Sequence, residues 1–285
     1  MQVPEVVDHP VRAKLCHRYI GVAEGDGDDR NARILRRVDV GPRIAHHDGP
    51  AWIPARAGNG FGQMPRIRLV ERERVLSADE PEAPTHAQVW NDRVQAYDMG
   101  TLAAQWFADF LQPGQHAPGQ GLRLVRFNPE HQRLCDPRWT GSLPAQTAFA
   151  DGYPLLVANT ASLHDLNQRL AAAGAAPVDM RRFRPNLVLD GLPAFDEDHT
   201  QELWIDTADG EVELRLVKPC TRCSMPNIDP STALSAPAVG DALAAYRADP
   251  RVGGAVTFGM NAVVVRGIEF LLQAGQTVRG RIAFG

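Results

Sequence analysis

Short segments with the period of a half-buried β-strand recur along the chain, and they constrain its fold more than any other feature. In the clearest one, Val212, Leu214 and Leu216 alternate with Glu213 and Arg215, which places the apolar side chains on one face of a strand. Further strands are predicted over residues 87–96, 122–127, 153–158, 183–189, 256–266 and 277–283, with a short piece at 67–70. Many short strands of this kind favour a β-rich fold built on a barrel-like sheet.

A few segments have the period of an amphipathic helix instead. Leu102, Trp106 and Phe110 recur at four-residue spacing and predict a helix over residues 100–112. A second helix is predicted at residues 163–170, where the polar segment before it can cap its N-terminus, and a short third helix near residues 239–246. The expected fold class is therefore mixed α/β and β-rich.

Composition narrows the classes of function. The 30 basic and 34 acidic residues leave a net charge of −4, without the basic excess that nucleic-acid backbones require. Lysine is scarce and arginine abundant, which we interpret as compositional bias. No apolar run reaches the roughly 18 residues of a membrane span, the N-terminus has no signal-peptide core, and the four cysteines are too few for a disulfide framework. We expect a reduced, cytoplasmic protein that binds neither nucleic acid nor membranes.

The sharpest local motif is Pro219-Cys220-Thr221-Arg222-Cys223, which we expect on a loop beyond a strand that ends at the proline. A thioredoxin-like pair needs its first cysteine at a helix N-terminus, and the prolines that follow oppose a helix. A zinc site needs a second pair of ligands. A single thiolate suits a soft redox metal whose other ligands belong to a cofactor. Two small buried side chains at a strand end explain the spacing equally well.

Three arginines lie close together in Arg181-Arg182-Phe183-Arg184-Pro185-Asn186. Arginines grouped in this way can hold a phosphate or another anion through bidentate hydrogen bonds, and asparagine adds a donor and an acceptor. The alternative is a solvated basic edge with the phenylalanine in the core.

Three further segments are weak signals by themselves. Each is explained by an ordinary turn or helix cap, although a glycine or the amides of a helix N-terminus also permit close approach of a ligand. They are Asp151-Gly152-Tyr153-Pro154, Asn159-Thr160-Ala161-Ser162 and Phe258-Gly259-Met260-Asn261.

Taken in chain order, these segments resemble the MOSC domain family, and the resemblance spans residues 64–285. The similarity is greatest to the branch with an N-terminal β-barrel domain, which includes the mitochondrial amidoxime-reducing component and its bacterial relatives. The matching segments are residues 149–156, Ala161-Ser162-Leu163 with Leu166-Asn167, residues 182–186, residues 220–223 with Asp229-Pro230, and Phe258-Gly259. The resemblance implies a β-barrel-like domain over residues 1–113, diverged over 1–62, followed by a MOSC β-barrel with peripheral helices over 122–285.

The resemblance also implies a molybdenum–pterin cofactor and roles for the matching residues. Cys223 corresponds to the catalytic cysteine whose thiolate ligates molybdenum. Asn261 lies where the amidoxime-reducing branch has a tyrosine near the cofactor. The other cofactor-binding positions are Gly152, Tyr153, Arg184, Asn186, Cys220 and Thr221, of which Arg184 and Asn186 match residues that hold the pterin and its phosphate.

The function that the resemblance implies is reduction of N-hydroxylated compounds by a molybdenum-dependent oxidoreductase. Because the chain has no cysteines to spare for a ferredoxin-like module, electrons would come from a separate iron–sulfur or flavin protein. The alternative is a sulfur-carrier or cofactor-binding protein with a persulfide on Cys223. The resemblance to the family also implies pyridoxal phosphate binding. The N-terminus departs from the family, since Arg12 and Ala13 replace its lysine and serine.

Overall fold

The structure is a computed structural model of the chain, and it describes residues 6–10, 19–25, 31–39, 83–105 and 121–283. For the first three ranges and for residues 121–122 the backbone alone is described. Several sequence predictions fall outside these residues: the strand at 67–70, the second half of the helix at 100–112, and the N-terminal segment that departs from the family.

The described residues form thirteen strands, some in segments where a strand was predicted and others, such as those before residue 40, where none was predicted. They are β1 (Val6–Pro10), β2 (Tyr19–Gly25), β3 (Asn31–Asp39), β4 (Ala83–Val89), β5 (Asp92–Asp98), β6 (Gly121–Phe127), β7 (Leu155–Asn159), β8 (Leu187–Leu189), β9 (Thr200–Thr207), β10 (Gly210–Thr221), β11 (Ala248–Asp249), β12 (Ala255–Arg266) and β13 (Thr277–Ile282). The helices are α1 (Pro137–Thr140), α2 (Thr160–Ala172) and α3 (Ala238–Ala244), and residues 101–105 are also helical. Short 3₁₀ turns lie at Met180–Arg182, Asp196–Asp198, Met225–Asn227 and Pro250–Val252.

The larger sheet has the strand order β1-β13-β9-β10-β12-β7-β8, with β11 paired to β12. Adjacent strands of this sheet are antiparallel, with the exception of β7 and β8. These two strands are parallel, and α2 lies in the crossover that connects them. The predicted helix at residues 163–170 is confirmed as part of α2, and the Asn159 side chain caps it by accepting from the Ala161 amide. The mixed, β-rich fold class is confirmed as a curled sheet with a few helices.

Two apolar clusters cover the faces of this sheet. One contains the inward side chains of β9, β10, β12 and β13, among them Leu203, Ile205 and Leu214. The other lies beneath α2 and α3, where the Phe183 and Phe258 rings stack with centroids 3.9 Å apart. Burial of each such side chain stabilises the fold by roughly 1.5–3 kcal/mol. Both clusters therefore contribute to the stability of the larger sheet.

The predicted strand at residues 87–96 is wrong as a single element, because a tight turn at residues 90–91 divides it into the antiparallel hairpin β4–β5. Strands β2 to β6 form a smaller sheet, in which β6 pairs with β5 and with β2 and β3 pairs with both β2 and β4, so the pairing closes on itself. Side chains before residue 83 are not described. The barrel-like domain over residues 1–113 and the MOSC boundaries at 122–285 therefore stay predictions.

Strand β10 does not end at Pro219, and this corrects the predicted position of the cysteine motif. The strand continues to Thr221, so Cys220 lies within it rather than on a loop. Within the described residues, β9 pairs with β10 only as far as Arg215, and beyond it β10 pairs with β12 alone. A proline is tolerated on such an unpaired edge because its missing N–H is not needed there, and the register shifts immediately after it.

The strand predicted over residues 183–189 is confirmed only at Leu187–Leu189. The preceding residues form the 3₁₀ turn Met180–Arg182, and Asp179 caps this turn by accepting from the Arg181 amide. Arg184 then adopts a left-handed backbone conformation with φ of 56°. Alternating polarity alone does not distinguish such a turn from the start of a strand.

Candidate functional site

Two cysteines with different solvent exposure lie at the end of β10. Cys223 is exposed just after the strand, Cys220 is partly buried within it, and Cys135 is buried elsewhere. Burial raises the pKa of the Cys135 thiol to about 11, which suppresses its thiolate. Among the described cysteines, Cys223 is therefore the thiol that a metal or a substrate can reach without rearrangement of the core.

Arg222 joins the cysteine motif to the arginine-rich turn. Its Nη1 donates to the Cys220 sulfur at 3.1 Å, and its Nη2 donates to the Phe183 carbonyl at 3.0 Å. Its backbone amide donates to the Val256 carbonyl at 2.8 Å. Two segments 39 residues apart thus meet through one guanidinium group. Arg222 had no predicted role, although its place between the two cysteines is visible in the sequence.

The arginine-rich turn divides its charges between structure and surface. Arg182 donates to the Asp229 carboxylate at 3.1 Å and to the Pro226 carbonyl at 3.2 Å, which anchors the loop that follows Cys223. Arg184 is exposed and left-handed. That conformation costs a non-glycine residue roughly 1–3 kcal/mol and is concentrated at functional sites. The phenylalanine of this motif is buried in the core, as the alternative interpretation expected, whereas anion binding by its arginines stays a prediction.

Asn186 fastens the same turn to β7. Its backbone amide donates to the Leu156 carbonyl at 2.8 Å, and its Oδ1 accepts from the Leu156 amide at 2.7 Å. The side-chain oxygen that was expected to be available to a pterin is thus used to extend the β7 edge. Its position beside the Arg184 turn makes the residue a fixed support for that arginine.

A second group of predicted residues lies where β7, β10 and β12 run side by side. Asn261 pairs with Lys218 of β10 and with Leu156 of β7. The Lys218 ammonium lies 5.7 Å from the centre of the Tyr153 ring and 5.8 Å from that of Trp139, within the range of cation–π attraction. Lys218 is one of two lysines in the sequence, and it belongs to none of the predicted motifs.

The segment Phe258-Gly259-Met260-Asn261 is not the ordinary turn that its spacing suggested, because it lies inside β12. Gly259 has φ of 75°, and a Cβ there would lie 2.6 Å from the Val157 carbonyl oxygen. Since real Cβ atoms do not approach a backbone oxygen so closely, the glycine is required for β12 to lie against β7.

The residues present fit a cofactor that combines a soft metal with an anionic group. Cys223 offers an accessible thiol, and thiolate is the ligand that such a metal prefers. Within the described chain, the Tyr153 hydroxyl and the Arg222 Nε are buried without a hydrogen-bond partner, and a Cβ on Gly152 would meet nothing within 4 Å. Burial raises the pKa of Tyr153, so its hydroxyl stays a hydrogen-bond donor for a ligand. No three His, Cys, Asp or Glu side chains form a metal-binding group in that part of the chain.

Comparison with protein families matches residues 144–279 to the MOSC domain. The chain contains a MOSC domain over these residues. This domain contains all eight predicted site residues, from Gly152 to Asn261. It also contains strands β7 to β12, which follow one another in the chain. The family resemblance inferred from the ordered motifs is confirmed. The roles that the resemblance gives to single residues stay predictions.

Curated relatives of the MOSC domain have names that describe an activity. The mitochondrial amidoxime-reducing component 1 of Mus musculus is 39% identical over 148 residues, which cover 50% of this chain and 38% of that protein. The mitochondrial amidoxime reducing component 2 of Bos taurus is 36% identical over 167 residues, covering 58% and 45%. A component 1 from Xenopus laevis is 29% identical over 229 residues, covering 78% and 62%. The matches to the mouse and bovine proteins thus span less than half of their length.

These comparisons correct one expectation and leave another without support. The names place the relatives in mitochondria, which contradicts the expectation of a cytoplasmic protein. The comparisons also give no support for pyridoxal phosphate binding. None of the helices that the structure describes has the length and apolar content needed to span a lipid bilayer.

Proposed function

We propose that this protein is a molybdenum-cofactor-dependent oxidoreductase that reduces N-hydroxylated compounds such as amidoximes, hydroxylamines or N-hydroxylated bases. The observation that carries the proposal is the exposed Cys223 thiol at the end of β10, on a segment that Arg222 ties to the Arg184 turn. The names of the relatives supply the class of substrate. Electrons would come from a separate iron–sulfur or flavin protein.

Each part of the site has a distinct task in this proposal. When bound, the cofactor would supply two-electron redox chemistry at molybdenum. Cys223 would give the thiolate ligand, and Arg184 would pair with the phosphate of the pterin. Arg222 would hold the Cys223 segment and the Arg184 turn in a fixed relation.

The remaining predicted residues would form the wall of the same site. Thr221 and Cys220 share the β10 end with the metal ligand, whereas Asn261 lies on the neighbouring strand β12 and Gly152 and Tyr153 lie in the segment before β7. The open space at Gly152 and the buried, unpartnered Tyr153 hydroxyl support a ligand at this wall. Asn186 would contribute by supporting the turn.

The proposal is tested by metal analysis of protein expressed in a host that makes the cofactor. We expect about one molybdenum per chain and pterin of matching amount, with both lost in Cys223→Ser. Ser224→Ala is the control, because Ser224 is exposed beside Cys223 and its side chain makes no capping hydrogen bond, and this variant should retain the metal. Absence of molybdenum from the wild-type protein, or its retention in Cys223→Ser, would refute the proposal.

A sulfur-carrier function is the second candidate, and the exposure of Cys223 favours it independently of any metal. An accessible thiol whose neighbour in the sequence is Arg222 suits a persulfide, which is an anion at neutral pH. Mass spectrometry of the peptide that contains Cys223 distinguishes the two. A peptide heavier by one sulfur atom, in protein without molybdenum, supports the carrier and excludes the reductase.

A further inference from the structure

A buried arginine outside the predicted site holds the segment that leads into Gly152 and Tyr153. The Arg133 side chain is only 5% exposed, and its Nε donates to the Asp92 carboxylate at 2.7 Å. Its Nη1 donates to the Ala148 carbonyl at 2.8 Å and also to the Ala150 carbonyl. Its Nη2 donates to the Asp151 carbonyl at 2.8 Å. One guanidinium group thus serves three carbonyls within four consecutive residues.

These contacts connect the segment to the hairpin β4–β5. Asp92 is the first residue of β5, and Phe149, within the held segment, packs in the core between β4, β5 and β6. The Phe149 ring meets the Phe127 ring edge to face at 5.4 Å. Residues 148–151 are therefore fixed to the smaller sheet twice, by a buried ring and by a charged network.

The same segment continues directly into the candidate site. Gly152 and Tyr153 follow Asp151, and the Tyr153 ring contacts Lys218, which lies two residues before Cys220 on β10. A lysine at position 133 could not reproduce the network, because an ammonium cannot reach four acceptors in the planar arrangement of a guanidinium. A displacement of the Asp151 carbonyl would move Gly152 and Tyr153 with it.

We propose that Arg133 is a positioning residue for the cofactor site, fixing residues 148–151 on β5 so that Gly152 and Tyr153 face the cofactor. The inference rests on the proposed function in taking those two residues as cofactor contacts. It adds that the smaller sheet contributes to the site through Asp92 and Arg133, although neither residue belongs to a motif of the MOSC family resemblance.

Hydrogen exchange on the cofactor-loaded protein tests the proposal, with mass spectrometry of peptides that contain residues 148–153. Arg133→Met should speed amide exchange there about tenfold, the change expected when a hydrogen bond to a charged donor is lost. Peptides around Phe183 should be unchanged. The same variant should lose molybdenum and pterin during dialysis, whereas the wild-type protein retains them. Asp92→Ala removes the carboxylate anchor but keeps Arg133, and it serves if Arg133→Met fails to fold.

The matched control is Arg123→Met. Arg123 pairs with Asp98 at the other end of β5, also through a partly buried arginine–carboxylate contact, but it touches none of residues 148–153. The control should lose similar stability in urea and leave both exchange at 148–153 and molybdenum retention unchanged. Equal exchange and equal retention in Arg133→Met, Asp92→Ala and Arg123→Met would overturn the proposal. A wild-type protein without molybdenum would refute the proposed function, and the exchange rates alone would then decide whether Arg133 fixes the segment.

Discussion

Glu197 provides the most quantitative test of the packing, because its carboxyl group is buried without a cationic partner. The residue is 0% exposed in the turn Asp196–Asp198. Its Oε2 accepts from the Ser162 hydroxyl at 2.8 Å and from the Asn159 Nδ2 at 3.3 Å, whereas Oε1 has no partner among the described residues. Burial, with a smaller contribution from the neighbouring Asp198 charge, raises its pKa from 4.5 to about 7.

This shift predicts a loss of stability as the pH rises. Between the unfolded and folded pKa values the native state binds more protons than the unfolded chain, so the free energy of unfolding falls with pH in that window. At about 1.4 kcal/mol per pKa unit, a rise from 4.5 to about 7 corresponds to roughly 3 kcal/mol. This contribution to the free energy of unfolding is fully present below the unfolded pKa and is lost as the pH rises to about 7. Above that pH, titration of Glu197 no longer changes the stability.

Glu197→Gln removes the titration and keeps the shape of the side chain. We expect the variant to lack the decline of about 3 kcal/mol between pH 4.5 and 7, so its stability relative to the wild-type protein should rise across this window. Burying the amide nitrogen without an acceptor costs about 1–3 kcal/mol at every pH. The change of the difference with pH is therefore the informative quantity, rather than its value at one pH.

Urea unfolding at a series of pH values measures this difference. Glu130→Gln is the control, because Glu130 is exposed and its loss removes a carboxylate without altering the interior. Parallel curves for the wild-type protein and Glu197→Gln would refute the reasoning. They would show that Glu197 titrates alike in the folded and unfolded states, and hence that its burial is relieved by an interaction outside the described contacts.

Three further predictions concern the site and its supports. Gly259→Ala places a Cβ against the Val157 carbonyl and should destabilise the protein by more than about 1 kcal/mol in urea, with strained backbone adding to the clash. Phe183→Ala should cost roughly 3–5 kcal/mol because the buried ring stack is lost, whereas Ile268→Ala, at an 80% exposed position, should cost almost nothing by the same measurement. Arg222→Lys cannot span both of its acceptors, so mass-spectrometric metal analysis should find less molybdenum while circular dichroism stays unchanged.

The elements of this fold that were predictable are those whose period is local. Strand β10 and helix α2 follow from alternating and four-residue apolar spacing, and Asn159 was a predictable cap. The end of β10 was not predictable from the sequence. It depends on the pairing of β9 with β10, which stops at Arg215 and leaves one edge of β10 unpaired at Pro219. Sequence periodicity holds no information on which strand lies alongside.

The candidate site was predictable as a set of motifs but not as an arrangement. The residues that bring the motifs together are arginines whose acceptors lie far along the chain: Arg133 reaches the Asp151 carbonyl across 18 residues, Arg222 reaches Phe183 across 39 and Arg182 reaches Asp229 across 47. Such contacts leave no mark on local spacing. They become visible only when the strands are placed side by side.

These contacts also change the meaning of the composition. The excess of arginine over lysine was interpreted as bias alone, yet Arg133, Arg182 and Arg222 each bond at least two separate acceptors. Lysine presents a single ammonium and cannot fill such positions with the same geometry. The carbonyls that these arginines satisfy belong to the segment before Tyr153, to Phe183 and to the loop that follows Cys223. Substitution of any of the three by lysine should therefore disturb cofactor retention before it disturbs the strands of the larger sheet, whose stability comes from apolar side chains such as Leu203 and Leu214.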